Sequence, residues 1–369
     1  MLPSLFTTSA LALLLTAPGS LTAAPGIAQQ RAPECSAKVA DSSGGIIVAW
    51  PDNRRGPYDI YAQRMGANGV PQWTLDGTAV CTASGDQTAP TVVPDGLGGA
   101  FVTWQDLRNG TSDIYAQRLS ADGVPLWPLD GVAVCTATGT QVSPVVVADG
   151  SGGVIITWQD QRSGAYDIYA QHVSGGGVPL WTADGVPVCA ATGDQKSPIA
   201  FADEVGGVIA VWEDGRGVGG IYAQRLDGSG MAQWVLDGVA VSSTFQPGNL
   251  GAVLDGSGGI IIAWDDLGHS GREDLYAQRL SAGGVPLWTA GGVAVCTAAY
   301  YQRSPVLVAE GSGGAFIAWT DYRSDRWDAV YAQRVDGAGV PQWTTNGVPV
   351  CPLAGGADFQ TMASDGSGA

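Results

Sequence analysis

The stretch Asp149-Gly-Ser-Gly-Gly-Val-Ile-Ile-Thr-Trp158-Gln-Asp160-Gln-Arg162, continued by Tyr166-Asp-Ile-Tyr-Ala-Gln-His172, Gly177-Val-Pro-Leu-Trp181 and Asp184-Gly-Val-Pro-Val-Cys189, recurs six times along the chain. Its first tryptophan falls at Trp50, Trp104, Trp158, Trp212, Trp264 and Trp319, in steps of 54, 54, 54, 52 and 55 residues. The second falls at Trp73, Trp127, Trp181, Trp234, Trp288 and Trp343. A period this constant marks a repeat architecture in which one supersecondary unit is stacked on its neighbours.

Each unit holds four runs of β-branched, aromatic and small apolar residues separated by turn clusters. In the third copy strand A is expected over 144–148, and the Gly-rich turn 149–153 returns the chain into strand B over 154–158. A polar loop, 159–166, leads into strand C over 167–172. A Gly-rich turn then leads into strand D over 178–189, broken at Asp184-Gly185. Four antiparallel strands per unit, six times over, predict an all-β protein, a β-propeller of six four-stranded blades. A stacked β-solenoid is the alternative, but its repeats are usually much shorter and leave two ends to cap. The propeller spans 36–351, with repeats at 36–89, 90–143, 144–197, 198–249, 250–304 and 305–358.

The run Asp-x-Arg-x-Gly followed by Asp-Ile-Tyr-Ala-Gln, as at Asp52 to Gln63, Asp106 to Gln117 and Asp160 to Gln171, resembles the TolB-type propeller repeat. It is also similar to the tandem repeats of secreted and surface-anchored bacterial proteins. The resemblance covers about residues 36 to 351. It implies a propeller, commonly six-bladed and often used for protein binding.

Composition narrows the function classes. With 55 Gly and 21 Pro among 369 residues, long helices are excluded, while 45% hydrophobic residues suffice for a substantial core. Seventeen basic against 34 acidic residues leave a net charge of −17, which repels a phosphate backbone, so nucleic acid is a poor partner. The apolar run Leu5 to Ala17, followed by small residues up to Ala28, reads as a signal peptide over 1–28 and places the chain outside the cell or at its surface, with the periplasm as an alternative. No later stretch is apolar enough to span a membrane. At the other end, Asp365-Gly-Ser-Gly-Ala369 aligns with the turn at 149–153, so 359–369 reads as the start of a seventh repeat. Either the array is longer, or this segment competes with 36–40 for the innermost slot of the first blade.

Repetition explains the repeated residues, so a functional site is expected where the pattern breaks. The Asp-x-Arg pairs of the B–C loops read as intrablade pairs, with a ring of arginines for an anionic ligand as the alternative. Set aside the tyrosine of each Ile-Tyr-Ala-Gln-type strand, and Tyr58, Tyr166, Tyr300, Tyr301 and Tyr322 remain, all in B–C loops or D-to-A connections. In an antiparallel blade both connections emerge on one face. Trp327 falls on the same face, as do Arg303 and Arg326. Exposed aromatic rings on a rigid surface suit protein or glycan binding; the plainer reading is that they pack their own loops. Copies four to six carry most departures, including Gly220, Ser242, Phe245-Gln246-Pro247, His269, Arg272 and Glu273, and a bulge is expected at Asp328 to Tyr331. His172 replaces an arginine and reads as a surface substitution.

Five cysteines, Cys81, Cys135, Cys189, Cys296 and Cys351, share one blade position too widely spaced for bridging and read as small buried residues. Cys35 stands apart, with pairing to Cys351 or Cys81 left open. Two histidines give a metal cluster or a serine triad little to work with, and no EF-hand spacing appears, so no cofactor and no metal site are assigned. The expected function is therefore a secreted, non-catalytic binding scaffold for a protein or glycan, not an enzyme, with the oligomeric state undetermined. The alternatives are a glycan-cleaving, sialidase-like propeller drawing acid and base from Asp265 and Asp266 or Glu273 and Asp274, and a purely structural repeat segment.

Overall fold

The computed structural model describes residues 37–41, 43–242, 247–267, 273–323, 329–351 and 362. The signal-peptide segment, Cys35, His269, Arg272, Arg326, Trp327 and the turn at 365–369 lie outside the described residues. The described chain forms six four-stranded antiparallel sheets, each built from four consecutive strands in the order A-B-C-D. These are the blades of a β-propeller. In the third blade the strands are Gln141–Ala148, Val154–Asp160, Asp167–Val173 and Val186–Cys189.

Three boundaries differ from the sequence reading for physical reasons. Strand A starts earlier because Gln141 pairs with Asp160 across a bulge, which the alternation of side chains does not reveal. Strand D is only four residues long. The Gly-Val-Pro-Leu-Trp stretch touches strand C through a single bridge, Val173 with Pro179, as it does in blade four where Ala232 replaces the proline. In the sixth blade, where a bulge is expected at 328–331, Ala329 to Val335 pairs with Ala315 to Asp321 in unbroken register, and the shift at Val330/Tyr331 against strand D is one that every blade carries; Asp328 lies outside the described residues.

The core lies between blades. Alternate strand-B side chains face opposite neighbours. Ala100, Val102 and Trp104 of the second blade pack on Ile47, Ala49, Ile60 and Ala62 of the first. The second tryptophan of units one to five clamps the seam from outside. Trp73 packs on Gly123 of the next blade, whose φ of +77° and contact with the indole exclude a side chain. Its Nε1–H donates to the Ala121 carbonyl at 2.8 Å.

The repeated polar residues form one network per blade. In blade three Asp160 accepts from Trp158 Nε1 at 2.8 Å and from Arg162 Nε and Nη2 at 2.9 and 2.6 Å. The guanidinium lies 3.9 Å from the Tyr169 ring centroid and also donates to the Asp184 carbonyl and to Cys135 Sγ of the preceding blade. Burial opposes ionisation of Asp160, yet the bonds from Arg162 and Trp158 hold its pKa below the usual range. The four buried cysteines are free thiols, pushed up to about 12 chiefly by burial. Cys351 is exposed, contrary to its expected burial. His172 is also buried rather than at the surface. Its Nε2 meets Asp149 Oδ2 at 2.8 Å, the partnership that Arg118 makes with Asp95 one blade earlier.

Candidate functional site at the seam of blades five and six

The network breaks in blade five, where Asp266 is followed by Leu267 and Gly268 instead of an arginine two places on. Trp264 Nε1 is buried there with no hydrogen-bond partner among the described residues. One residue earlier, at the end of strand B (Ile260–Asp266), stands Asp265, where the other copies carry Pro51, Gln105, Gln159, Glu213 and Thr320.

Asp265 is 1% exposed. Its Oδ2 accepts from Asn249 Nδ2 at 3.0 Å and from the Ser304 backbone N–H at 3.4 Å, while Oδ1 is buried with no partner. Burial pushes its pKa up to about 6, against the opposing influences of Asn249, Ser304 and Arg303. Space for the carboxylate comes from Gly248, because a Cβ there would lie 1.7 Å from Asp265 Oδ1.

Blade six closes over this carboxylate. Arg303, the second residue of strand A (Gln302–Ala309), binds Glu273 through two N–H groups, Nη2 to Oε1 at 2.8 Å and Nε to Oε2. Glu273 ends the B–C loop of blade five, and its carbonyl accepts from Gln302 N at 2.8 Å. The Arg303 guanidinium carbon lies 4.8 Å from the Tyr301 ring centroid and 5.9 Å from that of Tyr322. The Tyr322 N–H donates to the Tyr301 carbonyl, and Tyr300 turns the chain with a φ of +67°. Tyr300 and Tyr301 are 44% and 43% exposed and the Arg303 side chain 42%, so the cluster opens to solvent.

Of the residues singled out in the sequence, Tyr300, Tyr301, Arg303 and Tyr322 therefore meet at one place. Tyr58 and Tyr166 do not join them. Tyr58 sits at the seam of blades one and two, its N–H bound to Asp86, and Tyr166 at the seam of blades three and four beneath Lys196. Both occupy the repeat position that Glu273 fills in blade five. Sequence reasoning paired Asp265 with Asp266 and Glu273 with Asp274, whereas the fold brings together one acid from each pair. It missed Gly248 and Asn249. Their signal was present: Asn249 stands where the other copies carry Ala89, Ser143, Ser197 and Ser304. Among the described residues no group of three His, Cys, Asp or Glu side chains is placed to hold a metal ion.

No protein-family model matches the chain, and no curated protein matches it. Solved structures do. An ulvan lyase of polysaccharide lyase family PL25 bound to -[GlcA(1-4)Rha3S]- aligns with a TM-score of 0.54 at 13% identity, over 83% of this chain and 81% of that one. Polysaccharide lyase Uly1 aligns with a TM-score of 0.56 at 10% identity, over 91% and 86%. At such identities the likeness shows the fold. It also overturns the expectation of a non-catalytic scaffold that is no enzyme, since the propellers sharing this architecture over most of its length cleave polysaccharides. By fold, this chain belongs with the β-propellers that include polysaccharide lyases.

Proposed function

We propose that this protein is an exported glycan-degrading enzyme that cleaves a uronate-bearing polysaccharide by β-elimination at the seam of blades five and six. The observation that carries the reading is the convergence of Arg303, Glu273, Tyr301 and Tyr322 over Asp265, on the face that bears the long connections.

Two reactions break a glycosidic bond on such a surface. Hydrolysis needs two carboxyl groups flanking the bond, roughly 5–9.5 Å apart and open to the sugar. Here Asp265 is enclosed and Glu273 is held by Arg303, so that arrangement is lacking. Elimination needs a cation against the uronate carboxylate, a base for the proton on the adjacent carbon, and an acid for the departing oxygen. Arg303 supplies the cation, with Glu273 fixing its direction. Tyr301, once its phenol has given its proton to solvent, takes the proton from C5; the C4–O bond breaks, a C4–C5 double bond forms, and the leaving oxygen is protonated by water. Tyr300 and Tyr322 offer ring faces for flanking sugars. Asp265 lies beneath as a positioning residue, holding strand A of blade five to that of blade six through Asn249 and Ser304. The apolar run 5–17 supports export, as does the extracellular location of polymeric glycans.

Product masses test the reading. Elimination gives fragments whose masses sum to that of the parent polymer, with one end unsaturated. Fragments heavier by one water in total would mean hydrolysis, and an intact polymer across a panel of uronate glycans would reject the function.

A further inference from the structure

The five internal seams share one tryptophan contact, and that contact fails at blade six. The second tryptophan of blades one to five is 6–9% exposed and donates Nε1–H to a carbonyl of the next blade, on Ala121, Gly175, Gly228, Ala282 and Gly337 in turn. Trp343 of blade six is 39% exposed, and no acceptor for its indole N–H occurs among the described residues. The cysteines ending blades one, two, three and five are buried against the Asp-x-Arg pair of the following blade, whereas Val350 and Cys351 of blade six are exposed. Phe316, its ring centroid 5.8 Å from that of Trp343 with the planes tilted by 42°, is half-buried, while its counterpart Phe101 is 1% exposed.

Blade one shows the matching half. Ile46, Val48 and Trp50 are half-buried, where Ala100, Val102 and Trp104 of blade two are fully enclosed. Arg54 is 37% exposed beside Asp52, whereas the corresponding arginines of blades two, three, four and six are 18–24% exposed. Gly69, the counterpart of the glycines that receive a tryptophan, has nothing within 4 Å of where a Cβ would stand.

One further residue identifies what covers blade six. Met362 packs against Val306, Ala318 and Ala332. It lies three residues before Asp365, as Val92, Val146 and Ala200 lie three before Asp95, Asp149 and Asp203, and those valines and alanine are strand-A core residues of their blades.

We infer that the open faces of blades six and one are the seat of a seventh blade of this same repeat, with Met362 at the core position of its first strand. The occupant must present a C–D-turn glycine and carbonyl to Trp343 and an Asp-x-Arg pair to Cys351. On its other face it must offer a tryptophan to Gly69 and a strand end to Asp52 and Arg54. A second whole copy of the chain fits less well, since Met362 already seats this chain's own repeat segment against blade six.

Thiol labelling read peptide by peptide by mass spectrometry tests this. In the parent chain Cys351 labels under native conditions, while Cys81, Cys135, Cys189 and Cys296 label only on unfolding. Cys351 protected at every concentration would mean that blade six closes directly on blade one, and protection only at high concentration would mean that a second copy fills the seam; either overturns the inference. A chain carrying a second copy of residues 154–189 after Ala369 completes the blade. Its Cys351 is expected to label at least about tenfold more slowly, with a higher melting temperature. Should the extended chain fold poorly, Met362→Asp in the parent provides an independent reading. It lowers the melting temperature if Met362 is a core residue of blade seven, and an unchanged melt overturns that assignment.

Discussion

Asp265 keeps a carboxylate out of water with one oxygen unsatisfied, an arrangement that costs stability wherever the group ionises. Its pKa moves from 3.8 to about 6 on folding, so between those values the native state binds a proton that the unfolded state has released. Stability from this group is fully present below about pH 4 and is lost as pH rises through 6. The shift corresponds to about 3 kcal/mol, an upper value. Asp265→Asn keeps an acceptor for Asn249 and Ser304 and removes the charge. Denaturant unfolding should therefore find the variant more stable than the parent at pH 7.5 and closely matched near pH 4; a variant destabilised equally at both would refute the assignment of burial as the cause. Gly248 is the counterpart on strand A. Gly248→Ala places a Cβ inside the contact distance of Oδ1, and a loss of more than about 2 kcal/mol is expected from the overpacking, against no more than the usual helix-free Gly-to-Ala gain if the strand can shift.

At the scale of the strand and loop, the Trp-x-Asp-x-Arg network sets what each blade tolerates. Arg162→Ala strands Asp160 as a buried charge beneath Trp158, which costs about 3–5 kcal/mol when a buried partner is removed. Blade five has already lost the arginine, so Leu267→Ala in the matching loop removes no member of that network and should change the melt little. Chemical denaturation of the two variants separates these outcomes. These elements were largely legible in advance: the Trp spacing gave the blades, and the Asp-Gly and Gly-Gly turns gave the hairpins. What periodicity could not convey was which seam draws Asp265 and Glu273 together, because that depends on how strand A of blade six crosses strand B of blade five. The burial of His172 was missed for a similar reason, since its partner Asp149 lies on a different strand pair's turn. The short D strand was not legible because the stretch 178–182, read as part of one extended run, meets strand C through a single bridge.

On the scale of the whole molecule, a net charge of −17 opposes an acidic polymer approaching a site whose cation, Arg303, is shared with Glu273. Added salt should therefore raise the rate of cleavage of a uronate glycan at limiting substrate, up to ionic strengths of about 0.1 M where the screening length falls to about 10 Å. A rate that falls steadily with salt would show that local attraction dominates the approach. The central claim is that a uronate glycan is cleaved by elimination at Arg303 and Tyr301, and the ultraviolet absorbance of the unsaturated product measures it directly. The parent should generate that absorbance from a uronate glycan, Tyr301→Phe and Arg303→Ala should each lose at least about a hundredfold in kcat/KM while melting like the parent, and Tyr58→Ala should retain full activity. Undiminished activity in Tyr301→Phe and Arg303→Ala, or no absorbance from the parent, would contradict the account.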